Sequence, residues 1–225
     1  MFNIAIDGTV GSGKSTLAKG LAEKLNLKVL DTGAIYRGIA CYYKEKFNNQ
    51  KPNKKIIEEF VDSLEIDIKF LDGQQHVIIN KQDYTPYLRL EEISMLASVI
   101  SPYPEVREKV LYLQRVFARN YDCIIEGRDI GTIVLPKAQI KFFVTATEEV
   151  RAMRRYTQIK DKPNSPSYEE ILEDLRQRDY KDIHREIAPL IPAKDSIMID
   201  TTNQTLEESI NYCINIITRL KKIKC

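Results

Sequence analysis

Short apolar runs alternate along this chain with longer stretches in which apolar residues recur every three or four positions. The short runs predict buried strands, and the longer stretches predict amphipathic helices. The predicted strands are residues 2–7, 27–30, 121–125, 140–144 and 196–199. The predicted helices are residues 16–25, 34–43, 54–64, 88–100, 104–119, 147–159, 168–184 and 206–220. This alternation predicts a three-layer α/β fold, with helices on both faces of a central parallel sheet and ligands beyond the carboxyl ends of its strands.

The period of the pattern changes between residues 66 and 79. Apolar residues at 66, 68 and 70 alternate with charged ones, an Asp72-Gly73 turn follows, and a second apolar run covers residues 77–79. This pattern predicts an antiparallel hairpin that interrupts the βα alternation. We therefore expect a single domain with a core of residues 1–37 and 101–225 and a small inserted α+β subdomain at about residues 38–100.

The turn after the first predicted strand is rich in glycine. Its sequence, Gly8-Thr9-Val10-Gly11-Ser12-Gly13-Lys14-Ser15, fits the phosphate-loop pattern G-x-x-x-x-G-K-[ST] between a strand and a helix. Backbone N–H groups of such a loop surround phosphate oxygens, Lys14 reaches the β- and γ-phosphates, and the Ser15 hydroxyl helps to hold Mg²⁺. A glycine-rich turn without a ligand, the alternative, has no need of lysine and serine in these places. We predict a nucleoside triphosphate site formed by Gly8, Thr9, Val10, Gly11, Ser12, Gly13, Lys14, Ser15 and Thr16.

Charged residues follow two other predicted strands, at the edge of the sheet where a ligand is expected. Arg37 lies one helical turn into its helix and is within reach of an anion; the alternative is a solvated helix residue. Glu126 closes a strand at the position where phosphate-loop enzymes place the acidic residue that orients Mg²⁺, directly or through water. Arg128 and Asp129 come next, and a charged turn without function is the alternative for them.

A third charged cluster lies near the end of the helix at residues 168–184. Arg178, Asp182 and Arg185 are spaced four and three residues apart, which predicts that they share one helix face; an exposed, salt-bridged helix is the alternative. Arg151, Arg154 and Arg155 precede a loop bounded by proline, and arginines on a mobile lid can close over a transferring phosphate and exclude water. We place this predicted lid at about residues 154–168.

One motif favours a different function. Asn80-Lys81-Gln82-Asp83 matches the N-K-x-D motif that reads guanine in GTPases and follows an apolar run. A D-x-x-G motif is missing between the phosphate loop and Asn80, and the preceding strand is half of a predicted hairpin. The GTPase is therefore kept only as the alternative function.

Composition excludes some classes of partner. The 225 residues carry 34 basic and 32 acidic side chains, a net charge of +2 that gives no reason to expect nucleic acid or a membrane surface as a partner. No apolar run approaches the length of a membrane span, and the start has no signal-peptide pattern. Cys41, Cys123, Cys213 and Cys225 form no C-x-x-C pair, so we expect reduced thiols in a cytoplasmic protein.

Several strings taken together resemble the bacterial cytidylate kinases. The resemblance covers essentially the whole chain and is most specific in Asp31-Thr32-Gly33-Ala34-Ile35-Tyr36-Arg37 and Gly127-Arg128-Asp129-Ile130-Gly131-Thr132. It also includes the phosphate loop, Ala97-Ser98, Pro104-Glu105-Val106-Arg107, the Arg178 to Arg185 segment and Ala188-Pro189-Leu190. The resemblance implies the fold of nucleoside monophosphate kinases and the conversion of ATP and CMP or dCMP to ADP and CDP or dCDP, with Mg²⁺. We further expect a monomer.

The resemblance also implies roles for individual residues. Arg37, Arg128 and Arg178 would bind the CMP phosphate, Arg178 and Asp182 would lie near the sugar, and Ser98, Arg107, Asp129 and Arg185 would read the cytosine. Thr32 joins the predicted substrate-binding residues, and the predicted catalytic residues are Lys14, Arg37, Arg128, Arg154 and Arg155. The predicted metal ligands are Ser15 and Glu126. Thr9 stands where the family often has proline and Glu126 where aspartate is common; both departures keep the required chemistry.

Overall fold

The computed structural model describes residues 1–48, 50–161 and 165–223 of the chain. The strands in these residues are β1 (Asn3–Gly8), β2 (Lys28–Asp31), β3 (Ile66–Leu71), β4 (Gln74–Ile79), β5 (Gln82–Asp83), β6 (Cys123–Gly127), β7 (Ile140–Thr145) and β8 (Ile197–Asp200). The α-helices are α1 (Lys14–Leu25), α2 (Thr32–Phe47), α3 (Lys54–Asp62), α4 (Glu91–Ile100), α5 (Pro104–Asn120), α6 (Glu148–Ile159), α7 (Tyr168–His184) and α8 (Leu206–Ile223).

Every predicted strand and helix is present, with shifted ends that have local causes. Helix α2 begins at Thr32 rather than Ala34, because the Asp31 side chain caps it by accepting a hydrogen bond from the Ala34 N–H. Helix α4 begins at Glu91 rather than Leu88, because the N–H groups of Leu88 and Leu90 donate to carbonyl oxygens three residues earlier, in the 3₁₀ turn Thr85–Tyr87. The predicted capping box of Ser167 and Glu170 at the start of α7 is confirmed.

Contacts between residues divide the chain into two compact units. Unit 1 consists of Met1–Val29 and Tyr121–Cys225, and unit 2 consists of Leu30–Asn120. The predicted core, the insert at about 38–100 and the lid at about 154–168 remain predictions, and residues 162–164 of that lid lie outside the described residues.

Unit 1 is built on a five-stranded sheet in the order β2-β6-β1-β7-β8, whose β2 begins in this unit. The pairs β1–β6, β1–β7 and β7–β8 are parallel. Apolar side chains of β1, β6, β7 and β8 form one core with those of α1 and α8, including Ile6, Leu17, Phe142 and Ile217. The predicted α/β fold with a central parallel sheet is confirmed.

The register of this sheet brings the strand ends to one edge. Asp7 lies opposite Gly127, and Gly8 lies opposite Val144. Thr145 at the end of β7 lies opposite Asp200 at the end of β8. Residues that immediately follow β1, β6, β7 and β8 are therefore neighbours, although they are far apart in sequence.

Unit 2 contains the predicted hairpin and one strand that the pattern did not predict. Strands β3, β4 and β5 form an antiparallel sheet in that order. Asn80 and Lys81 make the turn between β4 and β5 with φ of 48° and 70°, as a type I′ hairpin requires. The N-K-x-D match therefore lies in a tight antiparallel turn, which gives the GTPase alternative no support.

Three of the cysteines lie in the described residues, and each is a buried free thiol. Cys41 is in α2, Cys123 is in β6 and Cys213 is in α8. Burial raises the pKa of Cys41 to about 11 and the pKa values of Cys123 and Cys213 to about 12. Cys225 lies outside the described residues. No helix within the described residues is long and apolar enough to cross a membrane.

Candidate functional site

The glycines of the phosphate loop are required by the backbone at three places. A Cβ on Gly8 would lie 2.1 Å from the Val144 carbonyl oxygen, so β1 and β7 can come this close to each other only with glycine at position 8. Gly11 and Gly13 have φ of 74° and 87°, in the left-handed region that favours glycine. Helix α1 begins at Lys14, directly after Gly13, and the N-terminus of a helix is a site for anions.

Lys14 and Ser15 already have partners within unit 1. The Lys14 residue is 8% exposed, and its ammonium donates to the Thr9 carbonyl oxygen at 3.1 Å, so the side chain folds back over the loop. The Ser15 hydroxyl donates to Glu126 Oε2 at 2.7 Å. Two predicted metal ligands, one hydroxyl and one carboxylate, are thus adjacent.

This pair of oxygen donors fits Mg²⁺. The described residues contain no cluster of three or more His, Cys, Asp or Glu side chains that could hold a metal. Mg²⁺ in phosphotransferases takes one or two protein oxygens and completes its shell with phosphate oxygens and water. Ser15 and Glu126 offer that number of oxygen donors.

The phosphate loop is also bound by side chains from α6, α7 and the residue after β8. Asp179 accepts a hydrogen bond from the Val10 N–H at 3.2 Å, and Arg151 donates to the Val10 carbonyl oxygen at 2.8 Å. Thr201 donates to the Ser12 carbonyl oxygen at 3.0 Å. The Val10 N–H is therefore engaged by a carboxylate in this structure. Sequence patterns did not predict a role for Asp179 or Thr201.

Asp7 is a third residue for which the sequence pattern predicted no role. Its buried carboxylate accepts hydrogen bonds from the N–H groups of Ile130 and Gly131, both at 2.7 Å. Burial raises the pKa of Asp7 to about 6, although these two N–H donors act to lower it. The contacts fix the π-helical turn Ile130–Val134, which directly follows Arg128 and Asp129. The only signal in the sequence was an ionisable residue at the end of a buried strand.

Arg128 and Asp182 form an ion pair beside the phosphate loop. Arg128 Nε donates to Asp182 Oδ2 at 2.7 Å. Burial raises the pKa of Asp182, but the charge and hydrogen bond of Arg128 and the charges of Arg185 and Lys14 outweigh it and hold that pKa below its usual value. Burial lowers the pKa of Arg128, but Asp182 reverses this and raises it above the ordinary value. The charges of Arg128 and Lys14 therefore both act on the Asp182 carboxylate.

The predicted common helix face of Arg178, Asp182 and Arg185 is wrong for Arg185. Helix α7 ends at His184, and Arg185 has extended backbone with φ of −66° and ψ of 140°. Its Nε donates to the Ala188 carbonyl oxygen at 2.5 Å, and its Nη2 lies 3.7 Å from Asp129 Oδ1. The turn thus aims Arg185 at Asp129. Arg178 lies beside Asp174 at 3.5 Å.

The expectation that all three arginines of α6 serve a lid is wrong for Arg151, which is buried and donates to the Val10 carbonyl oxygen and to Asp179. The other two, Arg154 and Arg155, have different surroundings. Arg154 donates to Thr201, from Nη1 to the hydroxyl at 3.1 Å and from Nη2 to the carbonyl oxygen at 2.7 Å. A Cβ on Gly13 would lie 3.9 Å from Arg154 Nη1, so this guanidinium borders the phosphate loop. Arg155 is half-buried.

The remaining predicted residues belong to unit 2. Arg37 Nη2 donates to Asp31 Oδ2 at 2.9 Å, and Asp31 also caps α2. Gln75 holds Asp31 in place by accepting from its N–H and donating to its carbonyl oxygen. Thr32 is buried at the start of α2, Ser98 is half-buried in α4, and Arg107 is half-buried in the first turn of α5.

Comparison with known proteins shows which family the chain resembles. Residues 4–219 match the family described as cytidylate kinase. A cytidylate kinase of Caldicellulosiruptor saccharolyticus is 44% identical over 95% of this chain and 94% of its own length. One from Pseudothermotoga lettingae is 40% identical over 99% of this chain and 97% of its own.

A solved structure is similar in fold. The crystal structure of an uncharacterized protein from Eubacterium ventriosum matches 97% of this chain and 99% of that chain with a TM-score of 0.50 at 14% identity. That likeness shows the fold alone. The match over residues 4–219 and relatives 40–44% identical over nearly the whole chain show that this protein belongs to the cytidylate kinase family.

Proposed function

We propose that the protein transfers the γ-phosphoryl group of ATP to CMP and dCMP, giving ADP with CDP or dCDP. Besides family membership, the observation that carries the proposal is the strand register, which pairs Gly127 with Asp7 and so puts Arg128 beside the start of the phosphate loop, ion-paired with Asp182 at 2.7 Å. An acceptor phosphate held by Arg128 would then lie near the loop that holds the donor. Phosphoryl transfer depends on such positioning and on charge neutralisation, since it needs little covalent help.

The donor site is proposed for residues 8–16. Amides of the first turn of α1 and of the loop, apart from the Val10 N–H that Asp179 engages, would bind the phosphates of ATP, with Lys14 beside the β- and γ-phosphates. Ser15 and Glu126 would hold Mg²⁺, which when bound neutralises phosphate charge. Arg154 and Arg155 would stabilise negative charge on the moving group. Arg154 is already at the loop through Thr201, which supports this role.

The acceptor site is proposed to be formed by the CMP-binding arginines and the cytosine-reading residues. Arg37, Arg128 and Arg178 would neutralise the phosphate of CMP, and Asp182 would accept from the sugar. A CMP phosphate oxygen forms a bond to the γ-phosphorus as the bond from that phosphorus to the β,γ-bridging oxygen breaks. No general base is required, because a monophosphate with a second pKa of about 6 is largely ionised at neutral pH. Thr32, Ser98 and Arg107 would complete the site.

Asp129 is proposed to distinguish cytosine from uracil. A carboxylate accepts from the N4 amino group of cytosine but is repelled by the O4 of uracil. Arg185, 3.7 Å from Asp129, would hold that carboxylate or donate to the base. Asp129→Ala is expected to narrow the CMP-to-UMP ratio of kcat/KM by a factor of about 5 to 150, the equivalent of one base contact. Measuring both substrates at saturating ATP tests this, and a proportional loss on CMP and UMP would contradict it.

The proposed reaction is tested by a coupled assay of ADP release with a panel of acceptors. We expect turnover with ATP and CMP or dCMP, and little with UMP, AMP, GMP or shikimate. Nucleotide hydrolysis that does not depend on an acceptor, or that uses GTP alone, would overturn the proposal. We further propose that the enzyme is a cytoplasmic monomer, and light scattering with and without CMP checks the monomer.

A further inference from the structure

The phosphate loop is held at Val10 by a buried ion pair that no proposed role yet uses. Asp179 Oδ1 accepts from the Val10 N–H at 3.2 Å, and Arg151 Nη1 donates to the Val10 carbonyl oxygen at 2.8 Å. The same Nη1 donates to Asp179 Oδ2 at 2.5 Å, which closes a ring of contacts around one residue of the loop. Both polar backbone groups of Val10 are thereby fixed.

This ion pair is expensive to bury and has little reason to exist for stability alone. The side chains of Arg151 and Asp179 are 4% and 10% exposed. The free energy needed to remove two charges from water is about as large as the free energy of their attraction. Burial of the pair is therefore weak evidence that it stabilises the fold. Its fixed geometry is better suited to specifying one conformation of the loop.

The pair is itself held in place by the helices that carry it. Arg151 is in the first turn of α6 and donates from Nε to the Ala146 carbonyl oxygen at 3.0 Å. Asp179 is in α7, which packs on α6 through Ala152, Ile171 and Leu175. A Cβ on Gly11 would lie 3.4 Å from the Arg151 Cβ, so glycine also lets the loop approach this helix.

We propose that Arg151 and Asp179 are positioning residues that hold the phosphate loop in the conformation that binds ATP. They act through the Val10 backbone without touching either substrate. The proposal rests on the proposed function, because it assumes that the loop binds ATP and that CMP binds elsewhere. It predicts that loss of the pair weakens ATP binding selectively.

The chain contains a matched control for this proposal. Arg176 Nε donates to Glu148 Oε2 at 2.7 Å, in a second ion pair between the same two helices. Glu148 lies three residues before Arg151 in α6, and Arg176 lies three residues before Asp179 in α7. Their side chains are 49% and 42% exposed. An exposed pair of this kind contributes little to stability.

The test compares Asp179→Leu, Asp179→Asn and Arg151→Lys with the control variant Arg176→Gln. Calorimetry measures the Kd of ATP without CMP and the Kd of CMP without ATP, and steady-state kinetics measure kcat and both KM values. Asp179→Leu should raise the Kd and KM of ATP about tenfold or more, the scale of one lost charge-assisted hydrogen bond. Asp179→Asn keeps an acceptor for the Val10 N–H and should lose less. The CMP Kd should rise by no more than about twofold in any of them, because losing the Asp179 carboxylate, whose charge acts on Arg128, does not weaken a site for an anion.

Several outcomes separate this proposal from its alternatives. A parallel loss of ATP and CMP affinity, or ATP affinity equal to that of Arg176→Gln, would show that the pair is merely structural. If Asp179→Leu does not fold, the same comparison of the ATP Kd with the CMP Kd is made in Asp179→Asn and Arg151→Lys, and its result decides the proposal. The parent protein is measured first; if it does not bind ATP and CMP, the proposed function fails rather than the positioning role.

Discussion

Replacing Lys14 with alanine is expected to lower kcat/KM for CMP by about 10²–10³-fold, the scale of losing one preorganised charge donor. The Lys14 ammonium is buried at the phosphate loop, 3.1 Å from the Thr9 carbonyl oxygen. Because the side chain is buried, its charge acts in surroundings that screen it little. Steady-state assays with CMP at saturating ATP measure the loss.

Lys19→Ala is the matched control for this variant. Lys19 lies on the same helix, α1, but is exposed. Both variants should keep the thermal unfolding profile of the parent within a few degrees, and only Lys14→Ala should lose activity. A correctly folded Lys14→Ala protein that phosphorylates CMP at the parent rate would refute the assignment of the donor site.

Arg128→Ala is expected to lower kcat/KM for CMP by about 10²–10³-fold while the KM of ATP changes little. Arg128 is held by Asp182 at 2.7 Å, so its guanidinium is preorganised. The substitution removes a proposed contact to the CMP phosphate and also leaves Asp182 without its partner. Kinetics at varied CMP and at varied ATP separate the two substrates.

Arg128→Lys shows whether charge alone is sufficient at this position. Lysine keeps the charge but lacks the planar fork of arginine, so we expect it to restore only part of the activity. An increase in the KM of ATP as large as the increase in the KM of CMP would place Arg128 at the donor side and contradict the proposed acceptor site.

The helices and strands were predictable because their periodicity is local. Apolar spacing is enough to find β1, α1 or α8, because their apolar faces repeat within a few residues. Strand β5 was missed because a strand of two residues, Gln82–Asp83, has no period to detect. The π-helical turn Ile130–Val134 was missed for another reason, because it depends on Asp7, which is 123 positions from Ile130.

The site was predictable only where one motif or one strand end fixes it. Ser15 and Glu126 were both predicted as metal ligands, and the Ser15 hydroxyl lies 2.7 Å from Glu126 Oε2 across 111 positions of sequence. The contact of Asp179 with Val10 spans 169 positions and has no sequence pattern of its own. Arg185 was misplaced because helical spacing was extended one residue past the end of α7, at His184. Tertiary packing, rather than local pattern, decides such contacts.

The buried thiols can report on the local unfolding of each unit separately. Cys41 belongs to unit 2, and Cys123 and Cys213 belong to unit 1. A buried thiol of raised pKa reacts with an alkylating reagent only when local unfolding exposes it. With Cys225 replaced by serine, mass spectrometry of timed alkylation would therefore follow the two units separately in a protein without any added probe. A nucleotide that binds a closed unit slows the labelling of that unit's cysteine, which identifies where the nucleotide binds.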